Sequence, residues 1–503
     1  MLSSNFVLDG LSWQNTTIYA FGTAAVALLI SYFASEGYKL SHIPTVGSPL
    51  PFLSFFSAFK FMFRAKSMII SGVKHHKTLC KVPEFDQWVV VAGDRELMDD
   101  IRKAPEHVLS AMTHLDELLQ GPYTFGTSTI LTTYHLPLLR GTFTKSIPHL
   151  FPEVLSEVRD SFFDVIPPSQ EWKALHLQSS IMHIIARVSN LTFVGRPLCQ
   201  NKEFIDLSVR FTQDALKAAI ILRPLPSIIK PIVNYFISNI SETRKKVKDL
   251  LTPHINLRRE AMKGGSEYAG KQMDLLTWLL DEAKGEDATD DALTSMLLFT
   301  NFGAIHAPAM ALAHSIFYLA ANPKYVELLR DEVAGITSRL GWTKDAIDEM
   351  VITDSFIKES QRLHAGAYIA LIRKALRDFT FSNGVTIPKG TTVSGSAVSN
   401  HLDEKLYPDP HTFDPLRFVK MASESTKKFD ITAVGLDLIV FGYGRHACPG
   451  RFFAAVEMKL ILAYLVTHYD MKFAKEGVRP SDLTVGINVL PNPFAEVLFR
   501  KRV

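Results

Sequence analysis

Cysteine is almost absent from this sequence. It occurs three times in 503 residues, at Cys80, Cys199 and Cys448, too few and too widely spaced for a disulfide framework or a paired-cysteine metal site. The usage fits a reducing compartment. An excess of either charge is missing too: 54 Lys and Arg against 51 Asp and Glu leave a formal charge of +3, which excludes the basic footprint of a nucleic-acid binder. No repeat period stands out, which excludes solenoids and propellers. With 47% hydrophobic and 21% charged residues the chain is also far from the polar mixtures that stay disordered. A packed globule with a large core is expected.

Long charge-free runs are scarce, and the clearest is Ile18 to Phe33. As a helix it spans ~24 Å at the usual rise, slightly short of the ~27 Å hydrocarbon core of the endoplasmic reticulum, so Thr17 and Ala34 must help. A cleavable signal wants a basic segment before the apolar run, and residues 1–17 carry only Asp9; a retained anchor over 18–34 fits better than a signal or a core helix. Lys39, Lys60, Arg64, Lys66, Lys74 and Lys77 outnumber Glu36 on its far side. The positive-inside bias then puts residues 1–17 in the lumen and the rest of the chain in the cytosol. Residues 35–51, rich in proline, form a linker. A second apolar stretch, Ala218 to Ile240, is broken by Arg223, Pro224, Pro226, Lys230 and Pro231 and reads as a surface dipping into headgroups. The sequons at Asn190 and Asn239 would stay bare on the cytosolic side.

The remainder is mainly α with a small β part. Asp290 to Asn322, apolar on nearly every face and stopped by Pro323, predicts a core helix. Pro308 within it lacks an N–H and predicts a kink. Trp88 to Ala92 and Thr391 to Ser394 read as short strands, and Lys263 to Glu267 as a flexible loop.

The informative stretch is Phe441-Gly-Tyr-Gly444-Arg445-His446-Ala-Cys448-Pro-Gly450. Its glycines let the backbone approach a flat ligand, and an apolar helix over Phe452 to His468 follows. Cysteine at a helix start meets N–H groups and a dipole that favour anionic sulfur, as an iron ligand requires. By spacing alone Cys448 fits a small buried hydrophobe equally well.

Phe441, Gly444, Cys448 and Gly450 stand in the order of the haem-binding loop of the cytochrome P-450 family, F-x-x-G-x-R-x-C-x-G, and the chain resembles that family, its fungal members most. His446 takes the place of the usual arginine, with Arg445 beside it. Glu359 and Arg362 match the family's E-x-x-R helix, and Phe413 to Phe418 its P-E-R-F segment without the acid, so Arg417 is expected to clamp Glu359. His135 and Arg140 resemble the propionate-binding pair of fungal relatives. The resemblance implies the cytochrome P-450 fold, with 52–503 as the haem-binding catalytic domain and Cys448 as axial ligand of the haem iron. It implies a monooxygenase using O2 and NADPH-derived electrons from a membrane-bound NADPH-cytochrome P-450 reductase, since the length holds no flavin domain. Lys420, Lys427, Lys428, Arg445 and Arg451 offer such a partner a basic surface.

One family motif fails. Where the central helix usually reads (A/G)-G-x-(D/E)-T, this chain has Gly303-Ala304-Ile305-His306-Ala307-Pro308. His306 either supplies protons at neutral pH or faces away onto a backbone partner, and Ala307 removes a hydroxyl. Leu119 to Ser128, Leu298, Phe302, Ala307, Ala367 to Leu371 and Ile487 to Leu490 line the expected pocket, mostly apolar or small, which suits a terpenoid or steroid-like intermediate of fungal secondary metabolism. An isomerase, dehydratase or desaturase is the alternative that Ala307 and Pro308 favour. A haem sensor or electron carrier is the non-enzymatic one.

Overall fold

A computed structural model of the protein describes residues 36–263, 273–425 and 429–502. The apolar run 18–34, residues 264–267 of the polar loop, and Lys427 and Lys428 lie outside the described residues.

Helix α1 (Pro51–His76) starts on a proline at its first position, where a missing N–H costs nothing. The residues before it are tied to strand β1 (Leu79–Pro83): Val46 donates to the Lys81 carbonyl at 2.9 Å and Lys81 to that of Pro44 at 2.8 Å. The proline-rich segment therefore packs along the sheet instead of hanging free. Strand β2 (Trp88–Ala92) coincides with the expected strand. Helix α2 (Ala111–Leu119) follows strand β3 (Leu109–Ser110). Then come the long helices α3 (Thr144–Val165), α4 (Leu177–Val194), α5 (Lys202–Leu222), α6 (Lys230–Ile237) and α7 (Ile240–Lys263), with strand β4 (Lys173–His176) between α3 and α4.

Helix α8 (Asp290–Ala321) is the axis of the molecule. The Thr289 hydroxyl accepts from the Ala292 N–H at 3.3 Å, Asp290 and Asp291 occupy the positive end of its dipole, and Asn322-Pro323 stops it. It alone among the described residues is long and apolar enough to cross a membrane, but most of it is buried, as the core helix of a globule must be. The helix runs through Pro308 without interruption.

Helices α9 (Pro323–Leu340) and α10 (Val351–Leu363) pack beneath α8. Strand β5 (Ile369–Ala375), the hairpin β6 (Phe379–Thr380) and β7 (Thr386–Ile387), and β8 (Thr392–Ser396) complete the larger sheet region. Its five strands run β1-β2-β8-β5-β3, with β2 and β8 parallel. Helix α11 (Arg451–His468) follows the cysteine loop. Strand β9 (Tyr469–Lys472), hairpin β10 (Leu483–Val485) and β11 (Asn488–Leu490), and β12 (Glu496–Lys501) close the chain.

One surface departs from a soluble pattern. Phe55, Phe56, Phe59 and Phe63 of α1 are exposed, and so are Ile232, Tyr235 and Phe236 of α6. Phe85, on the β1–β2 turn, lies 5.5 Å from Phe55, and the flanking Glu84 and Asp86 hold Arg223 at the C-terminal end of α5.

Candidate functional site

The loop Phe441 to Gly450 is shaped by glycine where nothing else fits. Gly444 has φ +73°, and a Cβ there would lie 2.6 Å from Arg102 Cγ. The Cys448 N–H donates to the Phe441 carbonyl at 2.8 Å and closes the loop. Burial pushes the thiol upward, against N–H groups of Gly450 and Arg451 and the charges of Arg451 and Arg140 that pull it down. Burial prevails, so the thiol is held up and would ionise only with a cation facing the sulfur.

Beneath this loop Glu359, wholly buried, accepts from Arg362 Nε at 2.7 Å and Nη2 at 2.8 Å and from Arg417 Nε at 2.9 Å. Arg362 Nη1 donates to the carbonyls of His401 and Pro410, both at 2.7 Å. The two guanidiniums thus join α10 to the segment 401–417 that leads into the cysteine loop. A buried charge survives only with such partners.

Helix α8 carries an open strip. On the mid-section of this largely buried helix Gly303 and Ala307, one turn apart, are exposed, and Phe299, Phe302, His306 and Met310 are part-exposed beside them. A Cβ on Gly303 would meet nothing within 4 Å. The strip therefore faces internal space. Phe125 roofs it, with ring centroids 5.4 Å from Phe211, Phe299 and Phe302. Leu298 is fully buried in the core, off the strip; Ile487 is part-buried, and its carbonyl accepts from the Tyr368 N–H at 2.9 Å.

His306 is held by a neighbouring helix. Its Nε2 lies 2.8 Å from Thr212 Oγ1 on α5. Because the Thr212 hydroxyl donates to the Val209 carbonyl at 2.8 Å, the imidazole must be the donor and carry its proton on Nε2. Burial pushes His306 down to about 4, so it is neutral at pH 7 and its N–H points into a chain that ends at a carbonyl. The partner is a side chain on a neighbouring helix, not backbone.

Polar groups gather on the cysteine side. Arg140, on a π-turn Leu139–Phe143, donates to the Arg445 carbonyl at 2.7 Å; Arg445 donates to the Lys103 carbonyl at 3.0 Å. His446 Nε2 lies 2.9 Å from Glu106 Oε2. Against burial, that contact and bonds from Ser110 and the Met112 N–H hold Glu106 down to about 2. His135 is buried, and its Nδ1 has no partner. Arg373 was missed by the sequence reading. It is buried on β5, forms no ion pair among the described residues, and burial lowers it to about 10. It shares the buried face of β5 with Ile369, Leu371 and Ala375, an alternation that could have found it. Thr212 was missed as well, though the apolar stripe of α5 contains it.

This donor set fits a haem: one sulfur at a helix start, a glycine strip with space above it, and buried cationic or unpartnered donors where acidic ring substituents would need them. Asn190 is fully buried and exchanges amide bonds of 3.0 and 3.1 Å with Asn301.

Residues 132–499 match the family model described as Cytochrome P450. The chain is 37% identical over 490 residues to Cytochrome P450 monooxygenase 151 of Postia placenta, covering 96% of this chain and 98% of that one. It is 30% identical over 488 residues to Cytochrome P450 monooxygenase CYP512U6 of Ganoderma lucidum, covering 95% and 96%. Against Cytochrome P450 monooxygenase olcJ of Penicillium canescens it is 33% identical over 431 residues, covering 84% and 81%.

Proposed function

From the premise that this chain belongs to the cytochrome P450 family and is a haem-thiolate monooxygenase, we propose that it oxidises a terpenoid or steroid-like intermediate of fungal secondary metabolism at the endoplasmic reticulum membrane. The observation that carries the reading is Cys448, held at a helix start by a loop that only glycine can turn. When bound, the haem supplies the iron at which dioxygen is activated.

The residues of the chain do the rest. Cys448 would ligate the iron; Arg373, His135 and Arg140 would face the propionates, with Arg445 and His446 closing that side. Phe125, Phe299 and Phe302 exclude water and select a rigid apolar skeleton by shape. The exposed rings of α1 and of α6 would together give an apolar surface suited to the acyl boundary, so that a hydrophobic substrate enters from the lipid. Electrons would come from an NADPH-dependent reductase docked at Lys420, Arg445 and Arg451.

The test of this reading is spectroscopic, then chemical. Reduced protein with carbon monoxide is expected to give a thiolate-type Soret band that Cys448→Ala abolishes; a band of the histidine-ligated type overturns the ligand. Expression beside a reductase in a host fed candidate terpenoids is expected to give products heavier by one oxygen. A second reading has its own observation: Ala307 offers no hydroxyl and the His306 N–H is spent on Thr212, so no side chain at these two positions hands a proton into the strip. Weak proton delivery favours desaturation or rearrangement over oxygen insertion, and a product of unchanged oxygen content would select it.

A further inference from the structure

Away from the cysteine loop, three elements each send one metal-ligating side chain to a single buried place. They are His314 on α8, His364 just past the end of α10, and Asp482 immediately before β10, with ligand atoms all within 4.8 Å of one another. Two imidazoles and a carboxylate are the donor set of a divalent transition metal. The centre of this set is taken by the chain itself. Arg479 Nη2 lies 2.9 Å from His314 Nδ1, 2.9 Å from Asp482 Oδ1 and 3.4 Å from His364 Nδ1.

The proton positions follow from the partners. A guanidinium only donates, so His314 Nδ1 accepts and its proton sits on Nε2, which is buried with no partner. His364 Nδ1 donates to Asp482 Oδ2 at 2.5 Å, and its Nε2 accepts from the Tyr318 hydroxyl at 2.7 Å. Both rings are therefore neutral, and they stack 4.7 Å apart. Two neutral ligands, one carboxylate and one guanidinium balance to zero charge.

The cluster also governs a segment that matters for the site. From Asp482 the chain enters the β10–β11 hairpin. Val489 N–H donates to the Gly366 carbonyl at 3.1 Å and Gly486 N–H to that of Met62 at 2.8 Å. A Cβ on Gly366 would sit 3.7 Å from the methyl of Met310, on the open strip of α8. Asp482 thus anchors the hairpin that backs one wall of the internal space.

We propose that His314, His364 and Asp482 form a cation site in which Arg479 stands in for a metal ion. Arg479 is thereby a positioning residue that clasps the β10–β11 hairpin to α8 and sets the width of the substrate space. The clasp follows from the cluster alone; its bearing on substrate rests on the monooxygenase reading.

The experiment uses full-length, haem-loaded protein in detergent, with zinc as the metal and 1-phenylimidazole as an iron-ligating probe of the space. Arg479→Gly is expected to lower the unfolding temperature, weaken the probe roughly tenfold through lost preorganisation, and bind one zinc per chain by calorimetry; the wild type binds none there. Zinc should restore both stability and probe affinity, and adding His314→Phe to the variant should abolish the rescue. Arg479→Lys, which keeps a donor cation, should stay close to wild type, and Arg479→Met should not. If Arg479→Gly accumulates only in zinc-supplemented medium, the proposal is supported. A folded Arg479→Gly that takes up no zinc, or that keeps wild-type probe affinity without it, overturns the proposal. Zinc uptake is read without reference to haem, so a failure of the monooxygenase reading would show separately as wild-type protein with no thiolate-type spectrum.

Discussion

His401 shows how a buried imidazole makes a protein sensitive to acid. Its Nε2 accepts from the Ile439 N–H at 2.9 Å, a bond that a protonated ring cannot make. Burial and the nearby Arg362 charge push it down to about 3. Unfolded, it titrates near ~6.5, so below that pH the unfolded chain binds a proton that the folded chain refuses. Stability from this group is complete above ~6.5 and is lost as pH falls toward the folded value, roughly 2 kcal/mol between pH 7 and pH 5. Urea unfolding across that range should show the loss, and His401→Gln, whose amide oxygen can accept the same N–H, should flatten the slope. On the distal helix the expected gain is catalytic. Ala307→Thr restores a hydroxyl facing the strip, and product formed per NADPH consumed should rise several-fold; an unchanged ratio would show that proton delivery does not limit turnover. Thr212→Val leaves the His306 N–H buried and unpaired, which should cost about 1–3 kcal/mol of stability with little change in that ratio.

At the scale of elements, the Glu359 cluster joins pieces that packing alone would leave loose. Arg417→Leu removes one of two guanidiniums from a fully buried carboxylate, and about 3–5 kcal/mol should be lost, seen as a drop in unfolding temperature and in the haem-loaded fraction. The converse check is Glu359→Gln, which strands two cations and should do no better. The exposed rings make a different expectation. A chain starting at Glu36 should still sediment with neutral phospholipid vesicles, and Phe59→Asp combined with Ile232→Asp and Phe236→Asp should leave it in the supernatant; sedimentation unchanged by these substitutions would mean these rings do not face lipid. Proline and glycine made such elements easy to place. Pro323 ends α8 and the Gly-rich loop ends at α11 as read, because each acts on its own neighbours.

For the whole molecule, the mainly α fold, the core helix and the glycine-cysteine loop were legible in the sequence, because burial on every face and backbone geometry leave direct marks on residue choice. The partners across space were less so. Glu359 and Arg417 are 58 residues apart and were paired only through a motif, and nothing local pointed to Thr212 beneath His306 or to Arg479 among three ligands. The inward alternation of β5 could have revealed Arg373, but a strand pattern says which way a side chain faces and not what it meets. Substrate space is the least legible, being the sum of side chains from five or six elements.

The paired amides of Asn190 and Asn301 bear on how the chain is made. A sequon locked inside a finished core is closed to any transferase. A sugar found there would be a record of timing: that segment would have crossed into the lumen as nascent, unfolded chain, and the molecule carrying it could never have completed its interior.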